Sequence, residues 1–353
     1  MLAAALAVAL RAPRGSAAPF PSAIPKGFVW GVSWHPENLK EGETSKRQLD
    51  DIGELGCGLL RFDARWKDIQ PTSGEIEEKK IARLREIAAE ASRRGFQLKV
   101  NLGSYPSWAL ELLRKDPDSF FARYRQYVKA VVSGLDDNIA YYQLGNEFNT
   151  ILDPIPAEYD SRIFREARFE IDQVKKDRPD WKVKTVINAC DSFYLPWKKT
   201  LEKALDEASS SIDVIGYDFY PGNYCNFTDW SAWQEIPYLT ELMKKYDKEA
   251  AICETGCPTI FGENRQARWI KESTRGMLKA IADSPLKDRF LFAVFYEYAD
   301  SPAGMIWPPP SEATFGITTL EGRRKPGFEA FKKLISETRT TQHPAKDQLI
   351  LNF

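Results

Sequence analysis

GLLRFD at 58–63, EEKKIARLREIAAEASRRG at 77–95 and QLKVNL at 97–102 follow one another along the chain. In the middle segment Ile81, Leu84, Ile87, Ala88 and Ala91 recur at steps of three and four, the period of a helix with one apolar face. Gly95 closes that helix, because glycine tolerates the left-handed conformation a helix end needs. The flanking segments are short and too apolar to leave a face in water, so they read as strands of a parallel sheet covered by helices. The same unit recurs outward in both directions. Further strands are read at 28–33, 139–145, 183–188, 212–219, 250–254 and 290–297, with helices at 43–56, 118–134, 158–178, 197–208, 231–246, 264–283 and 326–337. Eight strand–helix units in one chain predict an α/β fold, a single (β/α)8 TIM barrel, which takes about 250 residues plus insertions. A doubly wound open sheet is the alternative. It would use fewer strands, and no Gly-x-Gly-x-x-Gly follows any of these to make its nucleotide-binding form. One domain is expected over 26–340, with a tail at 341–353.

Composition narrows the chemistry. Lys+Arg 49 against Asp+Glu 50 leaves a net charge of -1, so no basic surplus exists to bind a nucleic-acid backbone. There are two histidines in 353 residues, His35 and His343, which argues against a His-rich metal site and leaves little for a Ser-His-Asp system. No metal and no cofactor are expected. Ten Trp, fourteen Tyr and twenty Phe can shape a site, while carboxylates are left to move protons. The apolar run at 2–10, followed by Arg11, Arg14 and the small residues 15–18, reads as a secretory signal within 1–25; an organellar targeting peptide fits as well. Secretion is the expectation, and a cytoplasmic or organellar location the alternative. After that run nothing reaches the ~18 apolar residues of a membrane helix, so no membrane partner is expected. Cys57, Cys190, Cys225, Cys253 and Cys257 lack zinc spacing and read as buried thiols, with a disulfide at Cys225 open if the chain is exported. Asn226-Phe227-Thr228 is a glycosylation sequon.

In a barrel of this kind, chemistry sits where strands end at their C-terminal side. Strand 4 runs out through Gln143-Leu144-Gly145-Asn146-Glu147-Phe148-Asn149, and strand 7 through Ile252-Cys253-Glu254-Thr255-Gly256-Cys257-Pro258. Two glutamates facing each other across the mouth are the minimal apparatus for cleaving a glycosidic bond. Being like-charged, they resist joint ionisation, so one is held as acid while the other attacks.

Asn-Glu ending strand 4 and Glu ending strand 7 resemble clan A of the retaining glycoside hydrolases. The segment Leu60-Arg61-Phe62-Asp63-Ala64-Arg65-Trp66-Lys67-Asp68-Ile69-Gln70-Pro71 is similar to strand 2 of families 39 and 42 of that clan. Ile215-Gly216-Tyr217-Asp218-Phe219-Tyr220-Pro221 resembles its strand 6, and Thr314-Phe315-Gly316-Ile317 with Lys325-Pro326-Gly327-Phe328 the approach to its last helix. The likeness spans roughly 26–337. It implies that Glu147 is the general acid/base, Glu254 the nucleophile, and the two carboxyl groups ~5–5.5 Å apart. It further implies that Asn146 binds the sugar 2-hydroxyl, Arg61 holds Glu254 ionised, and Tyr220 donates to Glu254. Asp218 falls where some families carry a histidine, which would be a departure, and Tyr217 is expected to pack. Strand 8 departs as well: where many members have a tryptophan, this chain has Tyr296, which could stack in its place, helped by Trp307 from the loop at 300–316. Glu297 is either an acceptor for sugar hydroxyls or the buried partner of a basic residue. After strand 1 come Trp34, His35, Glu37 and Asn38; after strand 3, Tyr105, Pro106 and Trp108. Such aromatics suit the apolar faces of pyranose rings, and His35 reads as a sugar contact. The functional expectation is a retaining hydrolase acting on a β-glycosidic bond of a carbohydrate. A transglycosidase with the same residues, or a lapsed barrel that only binds glycan, are the alternatives.

Overall fold

The short apolar segments pair side by side in chain order. In the computed structural model, which describes residues 20, 21, 24–36, 45–135, 138–150, 153–191, 196–225, 227–302 and 310–342, strands β1 (Val29–Ser33), β2 (Leu59–Arg65), β3 (Gln97–Gly103), β4 (Ile139–Leu144), β5 (Lys184–Asp191), β6 (Val214–Phe219), β7 (Glu249–Thr255) and β8 (Phe290–Phe295) close into a parallel barrel, β8 pairing back onto β1. The fold is a single (β/α)8 barrel, as the periodicity predicts. The helices wrap the outside: α1 (Lys46–Leu55), α2 (Trp66–Ile69), α3 (Glu78–Arg93), α4 (Ser107–Lys115), α5 (Pro117–Gly134), α6 (Asp160–Lys176), α7 (Trp197–Ala208), α8 (Ile236–Tyr246), α9 (Glu263–Ala282) and α10 (Pro326–Gln342).

Local chemistry accounts for where these elements begin. Asp116 caps α5 by accepting from the Ser119 amide at 3.1 Å, and Pro117 opens the helix where its missing N–H costs nothing. The apolar face read from the sequence in α3 is the one buried: Ile81, Leu84, Ile87, Ala88 and Ala91. Helix α8 starts five residues later than its expected start at 231, because Pro237 must lie in the first turn rather than in a helix interior. Helices α2 and α4 are additional, both in the connections that follow β2 and β3. Strand β5 runs three residues past Asn188, whereas β4 and β8 stop short of the expected 145 and 297.

Strand register sets the site. Arg61 of β2 lies beside Lys99 of β3, and Asp218 of β6 beside Glu254 of β7. At the barrel's flank Trp66 is fully buried, stacked on Tyr127 at 5.1 Å and edge-on to Trp108 at 5.5 Å, which fixes the rim after β2 and β3. All five cysteines are buried free thiols, so the disulfide considered at Cys225 is not formed. Among the described residues, no helix is long and apolar enough to cross a membrane.

Candidate active site

Beyond β4 the backbone turns sharply. Gly145 has φ 87° and Glu147 φ 48°, a left-handed conformation that a side chain bearing a Cβ adopts only at a cost of about 1–3 kcal/mol. Two contacts to β5 hold it. The Glu147 amide donates to Asn188 Oδ1 at 3.0 Å, and Asn149 exchanges two hydrogen bonds with the Cys190 backbone at 2.8 and 2.9 Å. The turn aims the Glu147 carboxyl into the barrel mouth, where it is 8% exposed.

Asn146 is clamped through its carbonyl oxygen. That atom accepts from Gln143 Nε2 at 3.0 Å, Asn188 Nδ2 at 3.3 Å and Arg61 Nη2 at 3.4 Å. With the oxygen committed to protein, the amide NH2 is the part of Asn146 left to meet a substrate oxygen. Gln143 is itself fixed by the buried Lys99, whose ammonium donates to Gln143 Oε1 and, at 3.1 Å, to Asn101 Oδ1.

Glu254 faces this group from β7. Arg61 Nη2 lies 3.1 Å from its Oε1, and the Tyr220 hydroxyl donates to its Oε2 at 2.7 Å. Arg61 is 4% exposed and is oriented by Ser33 Oγ at 3.2 Å and Asp63 Oδ1 at 3.3 Å. Glu147, Asp218 and Glu254 each bring one carboxylate oxygen within 4.8 Å of the other two. That bound on their nearest approach fits the ~5 Å of a pair in which one carboxylate attacks directly better than the ~6.5–9.5 Å that leaves room for a water. Burial, then the charge of Glu254, push the Glu147 carboxyl up to about 8. Burial followed by the two glutamates raises Asp218 well above the usual carboxylate range. Three carboxylates so close could also enclose a cation, but the Arg61 guanidinium already sits against the Glu254 oxygen.

The end of β8 forms the adjoining wall. Tyr296 meets Phe315, His35 and Tyr220 edge-on, with ring centroids 5.4, 6.1 and 6.4 Å away. A Cβ at Gly256, two residues after Glu254, would overlap the Tyr296 carbonyl oxygen, so only glycine lets the end of β7 pass this close to β8. Glu297 is fully buried, 3.0 Å from His35 Nε2 and 3.1 Å from Ser301 Oγ, the contacts expected of a buried partner to a basic residue. His35 stands beside the site, engaged with Glu297.

A fourth acidic group approaches from the connection after β8. Glu312 accepts from the Tyr224 hydroxyl, and burial raises its carboxyl to about 7. The base of that connection is stapled: Asp300 Oδ1 accepts from the buried Lys325 ammonium at 2.6 Å and from the Gly316 amide at 3.0 Å.

Other sequence candidates fall elsewhere. Trp34, expected near a sugar, is 1% exposed and packed in the core, its indole N–H donating to Gln48 of α1 at 2.7 Å; it faces the helix layer, not the mouth. Tyr105 and Trp108 line a separate rim cleft of about 460 Å³ with Lys67, Thr72 and Ser73, among the loops after β2 and β3. Tyr217 packs, as expected, on Phe219 and Trp197 and donates to Asp191 at 2.9 Å. Trp307, Glu37, Asn38 and Asn226 lie outside the described residues. Asn188, Asp63, Lys99, Gln143 and Glu312 were not singled out from the sequence. Asn188 had a usable signal, as the polar last residue of an apolar strand segment. Glu312 had none, since only tertiary closure of a long connection brings it to the mouth.

A scan against protein-family models finds no match, and a search of curated proteins finds none either. Solved structures do match. GH5_18 from Streptomyces cattleya, in complex with GlcNAc, superposes with a TM-score of 0.69 at 17% identity, over 92% of this chain and 82% of that one. An exo-beta-1,4-mannosidase from Opitutaceae bacterium strain TAV5 gives 0.66 at 16% identity, over 94% and 63%. A family 39 glycoside hydrolase from Bacteroides cellulosilyticus WH2 gives 0.63 at 14% identity, over 88% and 64%. These neighbours are clan A glycoside hydrolases with eight-stranded barrels. This chain has their fold.

Proposed function

We propose that the protein is a retaining O-glycosyl hydrolase that cleaves a β-glycosidic bond by double displacement. The observation that carries this reading is the environment of the two glutamates: close together, one neutralised by burial and the other held by a guanidinium and a phenol. Glu147 protonates the leaving oxygen as Glu254 attacks the anomeric carbon, forming a glycosyl-enzyme. Glu147, now a carboxylate, then takes a proton from the water that releases the sugar. Tyr220 and Arg61 orient the nucleophile, Asn146 offers its NH2 to the sugar 2-oxygen, and Tyr296 walls the reacting ring. The structures of Streptomyces cattleya GH5_18 with GlcNAc, and of a variant of it with Manb1-4GlcNAc, make a neutral β-linked glycan the first substrate to try.

The test is trapping with a panel of 2-deoxy-2-fluoro glycosides followed by mass analysis. A stable adduct on Glu254 is expected, and the panel member that forms it names the sugar. Activity that survives Glu254→Gln on the same panel would overturn the assignment.

A further inference from the structure

Asp218 is the one carboxylate in the cluster that double displacement does not use, and its surroundings are specific. It comes from β6, is fully buried, and is the register neighbour of Glu254. Its Oδ2 accepts from Asn188 Nδ2, the same amide that donates to Asn146. Its Oδ1 has no hydrogen-bond partner among the described residues, whereas the neighbouring Glu254 Oε1 has the Arg61 guanidinium 3.1 Å away. A buried carboxylate oxygen without a donor, beside a second buried carboxylate, is a costly arrangement unless one of the two bears a proton.

Lys99 and the Asn188 amide favour a charge on Asp218, but burial and the two glutamates outweigh them. From β2, Arg61 is committed to Glu254, Asp63 and Ser33. From β3, the Lys99 ammonium donates to Asn101 and Gln143 and makes no ion pair with Asp218 among the described residues. From β4 and β7 come two further carboxylates, Glu147 and Glu254, and Cys253, a thiol whose pKa burial pushes up to about 12. From β5 comes a neutral amide, Asn188.

Resting on the glycosidase reading of the same site, we propose that Asp218 is kept as a neutral carboxylic acid whose hydroxyl is the donor for the Glu254 side of the cluster, a positioning residue for the nucleophile. The three carboxylates then share two protons and one negative charge. Glu147 spends its proton on the leaving oxygen and regains one from water, while the Asp218 proton stays in place through both steps. Its donor fixes the rotation of the Glu254 carboxylate and stabilises that carboxylate again when the glycosyl-enzyme breaks down.

Difference infrared spectroscopy of the folded protein at neutral pH reads the proton without relying on activity. A protonated-carboxyl carbonyl band is expected to vanish in Asp218→Asn, separately from the band removed by Glu147→Gln. If Asp218→Asn removes only carboxylate bands, the residue is ionised and the proposal fails. Kinetics give the second arm. Asp218→Ala should lose roughly 10- to 100-fold in kcat/KM, the scale of one hydrogen bond to a charged group. Asp218→Asn, whose NH2 restores a donor, should recover most of that loss and leave the alkaline limb, set by Glu147, in place. Equal losses in the two variants would overturn the positioning role. An unchanged infrared result with no glycoside cleaved would instead fault the glycosidase reading, leaving the proton on Asp218 intact.

Discussion

The ends of β4 and β7 present the same side chain in opposite settings. Glu254 sits within β7 itself, with a guanidinium 3.1 Å and a phenol 2.7 Å from its two oxygens. Glu147 lies three residues past β4 on a turn held by Asn188, in a buried pocket where its largest electrostatic neighbour is the other glutamate. At Glu147 burial outweighs the weak Cys190 thiol donor and favours the acid. On the proposed mechanism the roles follow from the neighbours each strand end supplies, and not from the residue type.

The sharpest way to break that contrast is Glu254→Gln, which removes the attacking oxygen and should lower kcat by roughly 10⁴-fold or more in steady-state assays. Glu147→Ala should cost roughly 10²- to 10⁴-fold on glycosides with poor leaving groups and far less on activated aryl glycosides, where no acid is needed. Equal losses on both would contradict its role as acid. The same residue sets a pH limit: it works protonated, so activity should fall as pH rises through about 8, and a pH–rate profile checks this. Tyr220→Phe strips one donor from the nucleophile and should cost roughly 10- to 100-fold in kcat/KM, with little change in melting temperature.

The smallest effect tests whether a buried acid behaves the same way outside the mouth. Asp160, in the first turn of α6, is 5% exposed, and its pKa is raised to about 8, first by burial and then by Asp153. The folded state therefore holds a proton that the unfolded chain releases near pH 4. That contribution to stability is complete below pH 4 and is lost as pH rises towards 8. Asp160→Asn should flatten the pH dependence of the melting temperature between pH 5 and 8 by a few degrees. A variant as pH-sensitive as the parent would count against the assignment.

The barrel was legible because one period repeats. Ile81, Leu84, Ile87, Ala88 and Ala91 announce a helix face, and the strand segments are apolar on both sides. Glu147, Glu254, Tyr220 and Asn146 could be singled out because they stand at or near strand ends, which the barrel brings to one mouth; Arg61, inside β2, could be singled out only through the likeness of its segment to strand 2 of the clan. Trp34 was misread because an aromatic after a strand can turn outward to a helix as easily as inward to a ligand; its partner Gln48 lies fourteen residues on, with no pattern to announce it. Asp63 and Lys99 act by pairing across neighbouring strands, a relation that register creates and composition does not contain. Tyr105 and Trp108 follow their strand as expected, but the bulk of Trp66 beneath them builds a rim cleft of their own.

The staple joining Asp300, Lys325 and Gly316 has an evolutionary consequence. Because the base of the connection after β8 is clamped by a partly buried ion pair and a backbone hydrogen bond, a change in its length need not disturb its ends. Doubling the length of such a closed segment costs only about 0.6 kcal/mol of closure entropy. Insertions there can redraw what the mouth accepts while the strands that hold the two glutamates stay unchanged.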